Sequence, residues 1–198
     1  MNAGAIVLCG GKSSRMGTPK ALLRFGPETM LQRVVRLLRE VVSPIVVVGA
    51  ANQALPDLDG DIIVARDEHG DRGPLEGLRA GLKALPDDVE CAYVTSCDVP
   101  LLEPAFVRQM LDFAQGYDVA VVEIDSFAHP LSAVYRRTVL PYVEELLAND
   151  RLRPVFLFES ARTRRVRPEE ITADPELRTL RNLNTPEDYR QALADAGF

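Results

Sequence analysis

A chain of 198 residues, 46% hydrophobic and 26% charged, has the composition of a globular protein with room for one sizeable core, which excludes disordered and collagen-like classes. A formal net charge of −6 speaks against a surface for duplex nucleic acid. No apolar stretch approaches the roughly 20 residues of a membrane span.

Apolar runs recur in chain order at Ala5–Leu8, Ile45–Val48, Ile62–Ala65, Ala92–Thr95 and Val119–Val122. They are continuous rather than alternating, as expected of strands covered on both faces in a mainly parallel sheet. Between them lie helical stripes: Leu31, Val34, Val35, Leu38, Val41 and Val42 within 29–42, then Leu78, Leu82 and Leu85 within 75–85. The next covers 103–115, with Pro104 suited to the first turn. The order β-α-β-β-α-β-α-β predicts a three-layer α/β/α, Rossmann-like fold with a mainly parallel twisted sheet, with ligands at the edge where the strands end. Pro130–Tyr135 alternates one short loop after the preceding strand, which predicts a small antiparallel insert or edge. A helix follows over 139–149. Thr185-Pro186-Glu187-Asp188 reads as N-cap, first helical position and acidic first turn of a last helix. With no internal repeat or low-complexity linker, one domain spanning 1–198 is expected.

Cys9, Cys91 and Cys97 form no CxxC pair, and two histidines make no zinc constellation. The thiols read as buried, in a reducing compartment. No basic segment and apolar core of a signal peptide opens the chain, so a cytoplasmic protein is expected. Charge is concentrated. Residues 12–39 carry seven Lys and Arg against Glu28, and 151–168 carry six Arg against Glu159. Local basic segments on an acidic chain suit a small polyanion such as a phosphate ester, although Arg33, Arg36 and Arg39 read rather as a solvated helix face.

The most informative segment is Leu8-Cys9-Gly10-Gly11-Lys12-Ser13-Ser14-Arg15-Met16-Gly17-Thr18-Pro19-Lys20. Paired glycines at the end of a buried strand let backbone N–H groups close around phosphate oxygens, and Arg15 and Lys20 bring the charge a triphosphate needs. The segment is no P-loop, because Ile6 stands where that motif needs glycine, and it lacks GxGxxG.

This loop resembles the L-A-G-G-x-S-x-R-M-G-x-x-K signature of the small nucleotidyltransferases. Within that superfamily the chain resembles the molybdenum cofactor guanylyltransferases, which join GMP to molybdopterin. Gly73-Pro74-Leu75-Glu76-Gly77-Leu78 is similar to their G-P-L-x-G-[IL], Cys97-Asp98-Val99-Pro100 to C-D-x-P, and Asn182-Leu183-Asn184-Thr185-Pro186-Glu187-Asp188 to N-[IV]-N-T-P-E-[DE]. The resemblance runs from about Ala5 to Tyr189. It implies GTP and molybdopterin or its molybdenum form as substrates, Mg2+ as cofactor, and delivery proteins as possible partners, with no nucleic acid and no membrane. Related cytidylyltransferases carry L-A-A-G and a serine-rich segment at 73–75, which favours guanosine. Rival readings are a cytidylyl or sugar-phosphate nucleotidyltransferase and, in another class, a non-catalytic nucleotide- or cofactor-binding adaptor.

The resemblance assigns Leu8, Cys9, Gly10, Gly11, Arg15, Lys20, Asp67 and Asp98 to the nucleotide, with Arg15, Lys20 and Asp98 catalytic and Asp98 on the metal. Asp67 would serve guanine, ribose or metal. The family's Asn beside the base is Gly49 here, which leaves recognition there to the backbone or to Asn52. His69 reads as solvated. For the acceptor, the candidates are His129, Arg151, Arg153, Asn182 and Asn184; arginines paired with a pterin phosphate would bind it bidentately. The arginines of 162–167 are read as facing solvent.

Overall fold

The computed structural model describes residues 2–10, 19–67, 69 and 72–198. Its first strand, β1 (Ala3–Leu8), is paired on both sides: β4 (Ile45–Ala50) and β6 (Cys91–Ser96) flank it in parallel, and β5 (Ile62–Asp67) extends the sheet beyond β4. On the other side β8 (Phe127–Arg136) runs antiparallel to β6, followed by β7 (Val119–Ile124) and β9 (Thr163–Val166). The seven-stranded order is β5-β4-β1-β6-β8-β7-β9. The expected antiparallel insert is therefore an interior strand rather than an edge. The Val119–Ile124 and Phe127–Arg136 hairpin turns through Asp125 and Ser126, both at positive φ, and folds its return strand back against β6.

Helices cover both faces. α1 (Met30–Arg39) and α3 (Pro104–Phe113) enclose one core with Val7, Val47, Tyr93 and Val122, while α2 (Pro74–Ala84), α4 (Leu140–Ala148) and the short α5 (Leu157–Ser160) enclose the other with Ile6, Val46, Val94 and Val121. This alternation of neighbours along each strand is why the strands read as continuous apolar runs. α1 stops at Arg39, short of the expected 42, yet Val42 stays buried below its end. A reciprocal capping box opens it: Thr29 Oγ1 accepts from the Gln32 N–H, and Gln32 Oε1 from the Thr29 N–H.

The pattern missed the short α5 and three short strands. Arg24–Phe25 (β2) and Glu28–Thr29 (β3) form a two-stranded ribbon around Gly26 at φ +64°, too short to show alternation. Residues 163–166 form the edge strand β9, where Arg164 pairs with Glu170 and Arg165 with Glu123, so these arginines neutralise local acids. Arg33 and Arg36 likewise pair with Glu28.

The last helix, α6 (Pro186–Asp195), docks on the ribbon: Phe25, Met30, Leu101, Leu183 and Ala192 form a third apolar cluster. Thr185 caps α6 as expected, with Oγ1 accepting from the Asp188 N–H at 3.1 Å. Among the described residues no helix is long and apolar enough to cross a membrane.

Candidate active site

Four parallel strands deliver their carboxyl ends to one edge of the sheet. A cavity of about 470 Å³ opens there, lined by Leu8 of β1 and Gly10 just after it, Val48, Gly49 and Ala50 of β4, Asp67 of β5, Ser96 of β6, Leu131 of β8, and Gly73, Pro74 and Gly77 of the α2 start. The helix can lie this close because glycines face the strand: a Cβ on Gly77 would stand 3.1 Å from the Leu8 side chain and one on Gly81 only 2.5 Å from Ile6. Gly73 enters the helix at φ +74°, a conformation that only glycine adopts without strain.

Beside the cavity, Lys20 Nζ donates to Asp98 Oδ2 at 2.7 Å and to Asn184 Oδ1 at 2.8 Å. The other Asp98 oxygen accepts from Ser96 Oγ. Asp98 is 8% exposed. Three distant stretches build this cluster. The strand end brings Ser96 and Asp98, the single turn Lys20–Leu22 brings the lysine, and the segment before α6 brings Asn184. Leu183 secures that segment, with its side chain buried and its N–H bonded to the Asp98 carbonyl at 2.9 Å. Lysine holds one oxygen of the carboxylate and serine the other, which fixes its orientation.

Asp67 stands across the cavity. Burial raises its pKa, while the His69 N–H, donating to Oδ1 at 3.0 Å, opposes the rise. His69 itself has an exposed ring, with Nδ1 3.3 Å from Oε1 of the buried Glu76. Gly11 and Arg15, both expected to bind nucleotide, lie outside the described residues. Leu8 and Gly10 line the cavity; Cys9 is buried beside Cys97, and that neighbouring thiol together with burial holds the Cys9 pKa well above the ordinary value. All three cysteines are free.

The expected acceptor residues part company. Asn184 joins Lys20 and Asp98, whereas the Asn182 side chain is exposed. His129 lies on the first residues of β8, in edge-to-face contact with the exposed Phe127 at 5.5 Å, and burial lowers its pKa. Since Thr95 pairs with Ser132, the part of β8 before Ser132 overhangs the carboxyl edge next to Ser96. Arg151 packs over the Phe156 ring at 4.2 Å and approaches Glu159 at 3.5 Å. Arg153 is exposed, and the Leu152 carbonyl between them faces Gly73 at the cavity rim.

Ser96 and Gln53 were missed by the sequence reading. A serine two residues before an aspartate at a strand end is a usable signal for the first. Gln53 has none, being one polar residue in a turn. Asn52, one of the expected partners of the base, is exposed and does not line the cavity, and the Gln53 amide beside it is engaged by the Cys9 carbonyl and the Ala50 N–H.

Among the described residues no group of three or more His, Cys, Asp or Glu is placed to hold a metal alone. A single carboxylate can still serve a small divalent cation of the kind that keeps several water ligands.

The family described as the MobA-like NTP transferase domain matches residues 5–165. A protein of Methanosarcina acetivorans named "Probable molybdenum cofactor guanylyltransferase" is 38% identical over 204 residues, covering 96% of this chain and 89% of the relative. A molybdopterin-guanine dinucleotide biosynthesis protein A from Archaeoglobus fulgidus superposes with a TM-score of 0.79 at 19% identity, covering 98% of both chains. A Mycobacterium tuberculosis protein solved in complex with manganese superposes at 0.64 and 17% identity, covering 98% of this chain and 99% of that one. These two likenesses carry the fold.

Proposed function

Because the chain belongs to the MobA-like NTP transferase family, we infer that it transfers GMP from GTP to the phosphate of molybdopterin, giving the guanine dinucleotide cofactor and pyrophosphate. The observation that supports this most directly is Lys20 held between Asp98 and Asn184 beside a cavity lined by Gly10 and Asp67.

In this reaction an acceptor phosphate oxygen forms a bond to the α-phosphorus of GTP, and the bond from that phosphorus to the β-phosphate oxygen breaks, releasing pyrophosphate. Negative charge builds on the equatorial and leaving oxygens, so the protein works by positioning and by charge. Lys20 neutralises the phosphates, exchanging a carboxylate partner for a phosphate oxygen when nucleotide enters. The Gly10 N–H contributes a backbone donor, and Arg15 and Gly11 complete the phosphate side. Asp98 would hold a divalent cation, taken here as Mg2+, with Ser96 fixing the second oxygen of its carboxylate. Such a cation, held by Asp98, would supply positive charge against the negative charge that develops during transfer. Asp67 faces the nucleoside as an acceptor for guanine N–H or ribose hydroxyl groups. His129 on the overhanging part of β8, with Arg151 and Arg153 on the loop at the Gly73 rim, marks the acceptor side. The protein acts in the cytoplasm as one domain.

The test is calorimetric titration with GTP, CTP, ATP and UTP, each with and without Mg2+, followed by pyrophosphate release with molybdopterin present. Selective, Mg2+-assisted GTP binding and acceptor-dependent pyrophosphate release are expected. A preference for CTP would move the assignment to cytidylyl transfer, and no triphosphate binding would overturn it.

A further inference from the structure

Both backbone groups of Cys9, the residue leading into Gly10, are tied to the end of β4. The Cys9 N–H donates to the Val48 carbonyl at 2.8 Å, and the Cys9 carbonyl accepts from Gln53 Nε2 at 2.8 Å. The same amide faces the other way as well, its Oε1 accepting from the Ala50 N–H at 3.0 Å. A primary amide offers a donor and an acceptor on one planar group, and the two partners decide which end is which. Arg66 braces this turn, with Nη1 donating to the carbonyls of Ala50 at 3.0 Å and Gln53 at 2.9 Å. Its guanidinium occupies the space that a side chain at position 49 would need, since a Cβ there would stand 3.0 Å from Nη1. The Gly49 position and the Arg66 brace are thus one arrangement. Both polar groups of the Ala50 backbone are engaged within it, so they are not offered to a nucleobase.

The Cys9–Gly10 peptide is trans, because the cis bond among the described residues is Ser43–Pro44. In a trans peptide the carbonyl and the N–H point in opposite directions. A Cys9 carbonyl pinned to Gln53 therefore turns the Gly10 N–H away from that turn. Gly10 lines the cavity, and a Cβ on it would meet nothing within 4 Å. We propose that Gln53 is a positioning residue for the nucleotide: by holding the Cys9 carbonyl it aims the Gly10 N–H at the bound triphosphate, with Arg66 keeping Gln53 in place. This rests on the nucleotide reading of the cavity.

Gln53→Glu and Gln53→Met separate this role from space filling. A glutamate keeps an acceptor for Ala50 but, ionised at neutral pH, sets a negative oxygen against the Cys9 carbonyl; methionine keeps neither group. GTP with Mg2+, and guanosine as a ligand without phosphate, are titrated into each protein by calorimetry at pH 7.5, with unfolding temperatures recorded. Both variants should bind GTP about tenfold more weakly, as expected for one lost hydrogen bond and a misaligned donor, and guanosine within about twofold of the parent. GTP binding within twofold of the parent, or equal losses for GTP and guanosine, overturns the positioning role. Should Gln53→Met fail to fold, the two Gln53→Glu affinities decide alone. A parent protein that binds no GTP overturns the nucleotide reading and this role with it, whereas a parent that binds and variants that bind equally remove the positioning role only.

Discussion

Leu183 donates its backbone N–H to the carbonyl of Asp98 at 2.9 Å, so the segment before the last helix is clipped to the residue whose carboxylate holds Lys20. Asn184 inherits its place from that clip. Replacing Asn184 with alanine removes one charge-assisted hydrogen bond from Lys20 and should lower kcat/KM for GTP by about tenfold or more. Asn182→Ala, at an exposed side chain, should change it by less than about twofold, an interaction energy of a few tenths of a kcal/mol. Steady-state pyrophosphate release measures both, and equal losses would place the two asparagines in one role.

Asp98→Asn keeps the size of the side chain and its capacity to accept from Ser96 while removing the charge that Lys20 and a divalent cation share. Turnover should fall by at least about a hundredfold, and raising Mg2+ should not recover it. Lys20→Ala should weaken GTP far more than guanosine, because the lost partner is phosphate. Calorimetry with the two ligands tests this, and matched losses would argue against a phosphate contact.

Asp67 carries an opposing effect on stability and binding. Burial raises its pKa in the folded protein. A carboxyl with a raised folded pKa supports the fold while protonated, at acid pH, and that support is lost as pH rises through the folded value. At pH 7.5 Asp67→Asn should therefore unfold at a temperature equal to or above that of the parent, the advantage disappearing below the carboxylate range. GTP affinity should fall in the same variant. Thermal scans at pH 7.5 and pH 3.5 beside GTP titration check the pair of signs.

Gly81→Ala tests the close seat of α2. Its new methyl would stand 2.5 Å from Ile6 Cγ2 at the centre of β1. Overpacking of this kind costs about 1–3 kcal/mol, visible as a lower urea midpoint. The shift should carry a weaker GTP affinity, since the same helix starts at the cavity rim with Gly73 and Pro74.

The strands and main helices were legible because a strand buried on both faces and a one-sided helix each impose a local pattern on the residues that form them. Asp67 at a strand end and the Thr185 cap were legible for the same reason, each lying in a short stretch with its own chemistry. The position of the antiparallel strand was not. Alternation in Pro130–Tyr135 predicted its direction, but β6 and β7 as neighbours on both sides follow from pairing across the sheet. The edge strand over Thr163–Val166 was hidden by arginines, and only the fold shows Arg165 pairing with Glu123, 42 positions away.

By itself the sequence determined the order of the main strands and helices, the face each helix buries and the edge at which the cavity opens, since those depend on residues within a turn or two of one another. Only the tertiary structure decided that Lys20 meets Asp98 and Asn184, 78 and 164 positions away, and that Gln53 reaches back 44 positions to the Cys9 carbonyl. Contacts at such separations leave no periodic trace along the chain. They exist because the packed sheet and the docked last helix hold the backbone where one side chain can bridge it.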